Sequence, residues 1–294
     1  MFRSKLRAFL SVGINVEWSK RSTEVIENTE SDTVKFEDGT NATGWLLIAC
    51  DGAASRTRRY LHPSAFENLP VPVNLLGITV PYTPTKLAAA LAIDSYFFQG
   101  THSESNIYLY FSFLDSPTNM GNDTGNYICQ VISSWAETKD IAVPKSNAER
   151  IALVKHITTD WTGSLRGFIG AIPDDAGATP INVADWFLTT KREHGRVVLM
   201  GDAAHTMTMF RAVRGESGNN AVADANDFAK RLGPLITSNK GHPWSAYSQA
   251  LAKSDQDVFV RGKPCVMKAR RACLDAHDFA SVTKDSPLVS RRSK

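Results

Sequence analysis

Hydrophobic positions along this chain come in short runs broken by glycine, proline and aspartate, and the runs differ in period. Trp45-Leu-Leu-Ile-Ala-Cys50 and Val197-Val-Leu-Met200 are unbroken apolar stretches of strand length, the pattern of a strand buried on both faces. Leu75-Leu-Gly-Ile-Thr-Val80, Tyr96-Phe-Phe98, Ile107 to Phe113 and Tyr127 to Ser134 are rich in β-branched and aromatic residues, and they predict an antiparallel sheet. Tyr108, Tyr110 and Ser112 alternate with Ile107, Leu109, Phe111 and Phe113, so one sheet face is expected to carry hydroxyls and the other to be core. Asn15-Val-Glu-Trp18 reads as a further strand, and Thr33 to Thr40 as a hairpin arm turning at Asp38-Gly39.

Helical spacing appears elsewhere. Leu6, Phe9 and Leu10 fit an amphipathic first helix over residues 2–12. Ser55 is placed to cap a helix from Arg56 to Leu61, and Ser146 with Glu149 three residues on has capping-box spacing at the head of a helix reaching Trp161. Asn219 to Leu232 is helix-forming, with Val222, Ala225, Phe228, Ala229 and Leu232 as the apolar stripe, and Gly233-Pro234 is expected to end it. Trp244 to Phe279 reads as long helix interrupted at Arg261-Gly262, and residues 165–182 read as loop.

Two of these junctions carry chemistry. The Val197 strand ends at Gly201-Asp202 and leads through Gly215-Glu-Ser-Gly218 into a helix. The first N–H groups of a helix are unpaired and attract a pyrophosphate or an electron-rich ring, while a loop carboxylate such as Asp202 accepts hydrogen bonds from sugar-like hydroxyls. The Trp45 strand runs in the same way into Asp51-Gly-Ala-Ala-Ser-Arg-Thr-Arg58. There Asp51 is an acceptor for a hydroxyl or a helix N–H, and Arg58 is a partner for a phosphate or for Asp51.

Gly201-Asp-Ala-Ala-His-Thr-Met, followed by Phe-Arg and Gly-Glu-x-Gly-Asn-Asn-Ala, resembles the second flavin-binding motif of the FAD-dependent aromatic hydroxylases, the single-component flavoprotein monooxygenases. Asp51-Gly-x-x-Ser-x-x-Arg58 resembles the same family's other fingerprint, and Arg3-Ser-Lys-Leu-Arg-Ala-Phe-Leu resembles a helix inside its FAD domain. Met209 stands where the family has proline, Ala212-Val-Arg214 is interposed before Gly215, and Ser217 replaces a glycine; either Arg211 or Arg214 answers to the family arginine.

The resemblance implies an α/β (α+β) fold, a FAD-binding domain with an antiparallel substrate sheet inserted. The expected parts are a first FAD-binding segment over residues 1–70, the substrate sheet over 71–190, a second FAD-binding segment over 191–235, and C-terminal helices with a basic tail over 236–294. It also implies FAD held by Asp51, Asp202, Gly215, Gly218, Arg3 and Arg58, with NAD(P)H as transient reductant, and dioxygen and a small aromatic or polyketide-like molecule as substrates. No Gly-x-Gly-x-x-Gly follows an apolar strand among the 19 glycines, so the adenine and pyrophosphate half of the site is expected to be missing from the 294 residues. The rival expectation is a piece of a longer enzyme, or a flavin-independent relative that keeps the pocket as a binding or cyclase-like protein.

Charge and composition narrow the alternatives. With 33 basic and 30 acidic residues the net charge is +3, which gives no argument for a nucleic-acid partner. No run approaches the roughly 18 apolar residues of a membrane span, and the cytoplasm is the default location. The N-terminal residues hold Arg3, Lys5 and Arg7 without an acid, which leaves a targeting peptide as the lesser reading. Cys50, Cys129, Cys265 and Cys273 lie far apart and read as reduced, mostly buried thiols. The seven histidines lack zinc spacing, no Walker loop or Gly-x-Ser-x-Gly elbow occurs, and His205 reads as a core or supporting histidine. No catalytic side chain is expected, because in such enzymes the cofactor carries the chemistry.

Overall fold

The computed structural model describes residues 3–119, 124–188, 195–210, 216–238 and 241–289, with Arg3 described by its backbone alone. Helix α1 (Arg3–Leu10) is followed by strands β1 (Ser22–Glu27), β2 (Asp32–Phe36), β3 (Asn41–Gly44) and β4 (Leu47–Ala49), helix α2 (Arg56–Leu61) and strand β5 (Leu69–Pro70). Next come β6 (Val73–Tyr82), α3 (Pro84–Ile93), β7 (Phe97–Thr101), β8 (Tyr108–Asp115), β9 (Tyr127–Ala136), α4 (Asn147–Ile157) and α5 (Gly163–Gly170). The chain continues through β10 (Ala178–Pro180), β11 (Ala184–Asp185), β12 (Val197–Leu199), α6 (Asp202–His205), α7 (Glu216–Ile236) and α8 (Trp244–Asp275). It divides into a sheet unit of Met1–Val16, Pro72–Val183 and Leu274–Lys294, and a motif unit of Glu17–Val71 and Ala184–Cys273.

In the sheet unit five antiparallel strands lie in the order β10-β6-β9-β8-β7. Alternation sends Leu76, Ile78, Val80, Leu109, Phe111, Val131 and Trp135 to one face, where α3, α4 and α5 cover them with Leu87, Ile151, Val154, Phe168 and Ile169. Each such fully buried side chain contributes about 1.5–3 kcal/mol by leaving water. Two of the polar groups in this core find partners: Tyr82 donates its hydroxyl to the Phe168 carbonyl at 2.9 Å, and Trp135 Nε1 donates to the Ile141 carbonyl at 2.9 Å. Burial pushes the Cys129 thiol up to about 12, so it stays protonated at neutral pH. The opposite face carries the expected hydroxyls, but at one end they are buried by the chain's own residues 276–288. Ser134 Oγ lies 2.9 Å from His277 Nε2, Gln99 donates to the Leu288 carbonyl at 3.1 Å, and Thr101 donates to the Ala276 carbonyl at 2.8 Å.

The motif unit contains the antiparallel meander β1-β2-β3, the short pair β5-β11, and a parallel pair in which β12 lies beside β4. Val198, Met200, Leu232 and Leu251 pack into one cluster, and Ala49, Leu199, Ala203, Ala204 and Val258 into another. Asp185 is fully buried and is met by the Arg270 guanidinium through Nε at 2.7 Å and a second nitrogen at 2.8 Å. Among the described residues no helix is long and apolar enough to cross a membrane.

Several sequence expectations are corrected. Asn15 to Trp18 is not strand; the strand lies at Ser22–Glu27, whose charged, half-exposed residues hide its period. The β4 stretch is not buried on both faces, since Ile48 is 42% exposed. Helix α3 was missed although Thr83 caps it and Pro84 opens it, and the glycine-rich α5 was read as loop. Helix α7 continues through Gly233-Pro234 to Ile236, with the proline in its last turn. Helix α8 runs unbroken past Arg261-Gly262. All four cysteines are free, but only Cys129 and Cys273 are buried, while Cys50 is exposed. Ser55 and the Ser146–Glu149 capping box are as expected.

Candidate functional site

Register decides where the two motifs meet. In the parallel pair Val197 stands opposite Leu47, Val198 opposite Ile48 and Leu199 opposite Ala49, and the Met200 N–H donates to the Ala49 carbonyl at 3.0 Å. Parallel strands in register end at the same edge, so Asp51 and Asp202 leave neighbouring carboxyl ends, where open α/β sheets bind their ligands. Both carboxylates are exposed.

The Asp51 loop is pinned to its helix. Asp51 Oδ2 accepts the backbone N–H groups of Arg56 at 2.9 Å and Thr57 at 3.1 Å, and Ser55 Oγ accepts that of Arg58 at 2.8 Å. Three orphan donors at the head of α2 are thereby satisfied. Gly52 has φ +82°, a conformation in which a side chain is strained. Arg58 is 2% exposed, and its two terminal nitrogens meet protein acceptors that include both motifs: the Ala53 carbonyl at 2.5 Å, Asn68 Oδ1 at 2.7 Å, Thr206 Oγ1 at 3.2 Å and the Ala203 carbonyl at 3.4 Å. Its guanidinium lies 4.5 Å over the Trp186 ring. Burial lowers its pKa to about 10 against the opposing charge of Asp51, so Arg58 is a buried cation at neutral pH.

At Gly201 the chain takes φ 60° and ψ −141°, and an added Cβ would stand 3.3 Å from Ala221 Cβ. Asp202 then opens α6. Its Oδ1 accepts the Ser217 hydroxyl at 2.5 Å, and its carbonyl accepts the Thr206 hydroxyl at 2.6 Å. The first bond places Asp202 beside the first turn of α7. Gly218 is exposed in that turn, with nothing within 4 Å of where its Cβ would be. The site therefore offers an exposed carboxylate acceptor and an open glycine face at the start of α7, which fits the ribityl and ring portion of a flavin. Gly215, Arg211 and Ala212-Val-Arg214 lie outside the described residues, as does the basic tail. Arg3 sits at the start of α1 in the sheet unit.

His205 is buried as a supporting histidine, as the sequence suggested, but sequence reasoning missed the rest of the group behind these loops. Helix α7 buries Glu216, Asn220 and Asp224, spaced four residues apart, and leaves Val222 69% exposed. Asp224 Oδ2 accepts the Gly201 N–H at 2.9 Å and lies 2.7 Å from His205 Nε2, and Oδ1 accepts from Arg261 at 2.6 Å. Burial alone would raise the Asp224 carboxyl, but hydrogen bonds from His205 and Arg261, the charge of His205 and the Gly201 N–H outweigh it and hold it below the usual carboxylate range. A Cβ on Gly262 would come within 2.9 Å of His205 Cβ, so this glycine lets α8 approach the imidazole rather than breaking the helix. The legible signal was the four-residue spacing of polar residues on α7, which an apolar stripe search passes over.

Comparison with known proteins gives this geometry a context. A family profile described as FAD binding domain matches residues 7–253. A protein from Arthroderma benhamiae named "Probable FAD-dependent monooxygenase" is 34% identical over 308 residues, which is 99% of this chain and 71% of the relative. The FAD-dependent monooxygenase dbaB of Emericella nidulans is 39% identical over 239 residues, covering 78% of this chain and 60% of its own length. The match thus spans well under the full length of these relatives. Among solved structures, Klebsiella pneumoniae HpxO complexed with FAD and uric acid superposes with a TM-score of 0.71 at 21% identity, over 97% of this chain and 65% of that one. The 2,6-dihydroxypyridine-3-hydroxylase of Arthrobacter nicotinovorans gives 0.66 at 18% identity, over 94% and 70%. These two show a shared fold.

Proposed function

This chain belongs to the FAD-dependent monooxygenases of the aromatic-hydroxylase type, and from that premise we propose that it holds FAD at the Asp51 and Asp202 loops. There it would oxygenate an aromatic or polyketide-like small molecule in the cytoplasm, with NADH or NADPH as transient reductant. The observation that carries the proposal is the register of β4 and β12, which brings both acidic loops to one strand edge beside the head of α7.

Each residue has a part in this reading. Asp202 accepts hydrogen bonds from ribityl or ribose hydroxyls. Gly218 leaves open space for the ring against the first turn of α7, and Gly215, outside the described residues, is proposed with it. Asp51 fixes the neighbouring loop through α2. Arg58 acts from behind, holding Ala53 of one motif and Thr206 of the other on a single guanidinium. When bound and reduced, FAD supplies the reaction with dioxygen, in which one oxygen atom passes to an activated carbon and the other leaves as water.

The test is to incubate the purified chain with FAD, NADPH or NADH, air and a panel of phenols and polyphenols, and to look by mass spectrometry for products heavier by one oxygen atom. Such a product, absent without FAD, supports the proposal. Reductant consumption without any oxygenated product, or none at all, overturns it.

A further inference from the structure

Asp224 lies on α7, fully buried, and no solvent reaches its carboxylate. Its donors come from three places: Gly201 just beyond β12, His205 four residues on at the end of α6, and Arg261, distant in sequence, midway along α8. Arg261 also reaches Asp227 at 2.7 Å, so its guanidinium spans two carboxylates one turn apart. The Gly201 peptide is the hinge that matters. Its unusual φ and ψ set the direction in which the chain leaves the strand, and the next residue is Asp202.

We propose that Asp224 is a positioning residue for the flavin, which holds the Gly201 peptide in the one orientation that presents the Asp202 carboxylate to the cofactor hydroxyls. This rests on the reading of Asp202 given above. A carboxylate is needed because the three donors converge on its two oxygens. An Asn isostere keeps one acceptor and turns an NH₂ towards a donor, which leaves a buried group unmatched. His205 contributes by filling the space that Gly262 leaves open, so that its Nε2 stays on Asp224. The same unit holds a control. Asp185 and Arg270 form another buried ion pair, which touches neither motif loop in its hydrogen bonds. A purely structural role for Asp224 would make the two pairs equivalent for FAD.

The experiment compares the full chain with Asp224→Asn, Arg270→Met, Asp202→Ala and the Asp202→Ala/Asp224→Asn double variant. FAD affinity is read by flavin fluorescence, and exchange of the Gly201 amide by NMR or mass spectrometry on the protein without FAD. Asp224→Asn should weaken FAD by about tenfold or more, as losing a charge-assisted hydrogen bond does. The double variant should be hardly weaker than Asp202→Ala alone, because both changes remove one contact. Arg270→Met should lower the melting temperature and leave FAD affinity unchanged. His205→Gln, which keeps a donor at the position of Nε2, should retain most of the affinity. Unchanged FAD affinity in Asp224→Asn, or effects that multiply in the double variant, overturns the proposal. If the unaltered chain ignores FAD, the functional reading of the site falls, and the exchange data decide the positioning role. Faster Gly201 exchange in Asp224→Asn than in Arg270→Met supports it, and equal exchange overturns it.

Discussion

The sheet unit and the motif unit are stabilised by different means. The sheet unit buries a continuous apolar face, from Leu76 and Phe111 to Trp135, beneath three helices. The motif unit has smaller apolar clusters and adds Arg58, Asp185, His205 and Asp224, each 2% exposed or less and met by hydrogen bonds, whereas the sheet unit's Asp115, Asp275 and His277 keep 3–8% exposure. Apolar contact is non-directional and tolerates small shifts, whereas a buried charge is tolerable only when its partners stand at the right distance and angle. The unit with the candidate cofactor loops therefore relies more on directional bonds among deeply buried charges.

Substitutions can break that contrast. The largest effect is expected from Arg270→Met, which leaves Asp185 buried without its partner and should cost about 3–5 kcal/mol in urea unfolding. Leu109→Ala in the sheet unit should cost about 2–5 kcal/mol by leaving a cavity. The two resemble each other in size but not in remedy. Replacing Asp185 together with Arg270 by apolar residues should restore much of the first loss, because only half a pair is costly. A first loss under about 1 kcal/mol would show that the pair is well hydrated and the contrast mistaken.

Gly262→Ala comes next. Helix propensity alone predicts a gain of up to about 1 kcal/mol, whereas the contact with His205 predicts a net loss of about 1–3 kcal/mol. Thermal melts give the sign, and a gain would mean that His205 is not packed as described. Ser55→Ala removes the cap that accepts the Arg58 N–H and should cost about 1 kcal/mol. The smallest effect near neutrality is the pH dependence of Asp224. Its folded pKa is depressed, so its contribution is fully present above the unfolded value of about 3.9 and is lost as the pH falls through the lower folded value. Melting temperature followed from about pH 6 down to pH 2 should therefore fall less steeply in Asp224→Asn than in the unaltered chain.

Much of the sheet unit was legible because its strands obey a period of two. The hairpin at Asp38-Gly39 was legible for a local reason: Gly39 has φ +82°, and Asp38 accepts the Thr40 N–H at 2.9 Å. The acidic loops were legible because glycine and aspartate end an apolar run abruptly. What stayed hidden follows from tertiary context. The stripe chosen on α7 included Val222, which faces solvent, while the buried face began with Glu216, Asn220 and Asp224. A buried carboxylate has no signature in hydrophobic periodicity, because what makes it tolerable is a donor such as Arg261, 37 residues away. Gly262 misled for the same reason, since a glycine that breaks a helix and one that admits a neighbour look alike in sequence.

The most direct test of the central claim is a titration of the purified 294-residue chain with FAD, followed by flavin fluorescence and visible absorption, beside Asp202→Ala. The account predicts saturable binding with a perturbed flavin spectrum in the unaltered chain, weakened by about tenfold or more in the variant through loss of a charge-assisted contact. A folded, colourless protein whose presence leaves FAD fluorescence unchanged, or a variant that binds as well as the parent, would contradict it.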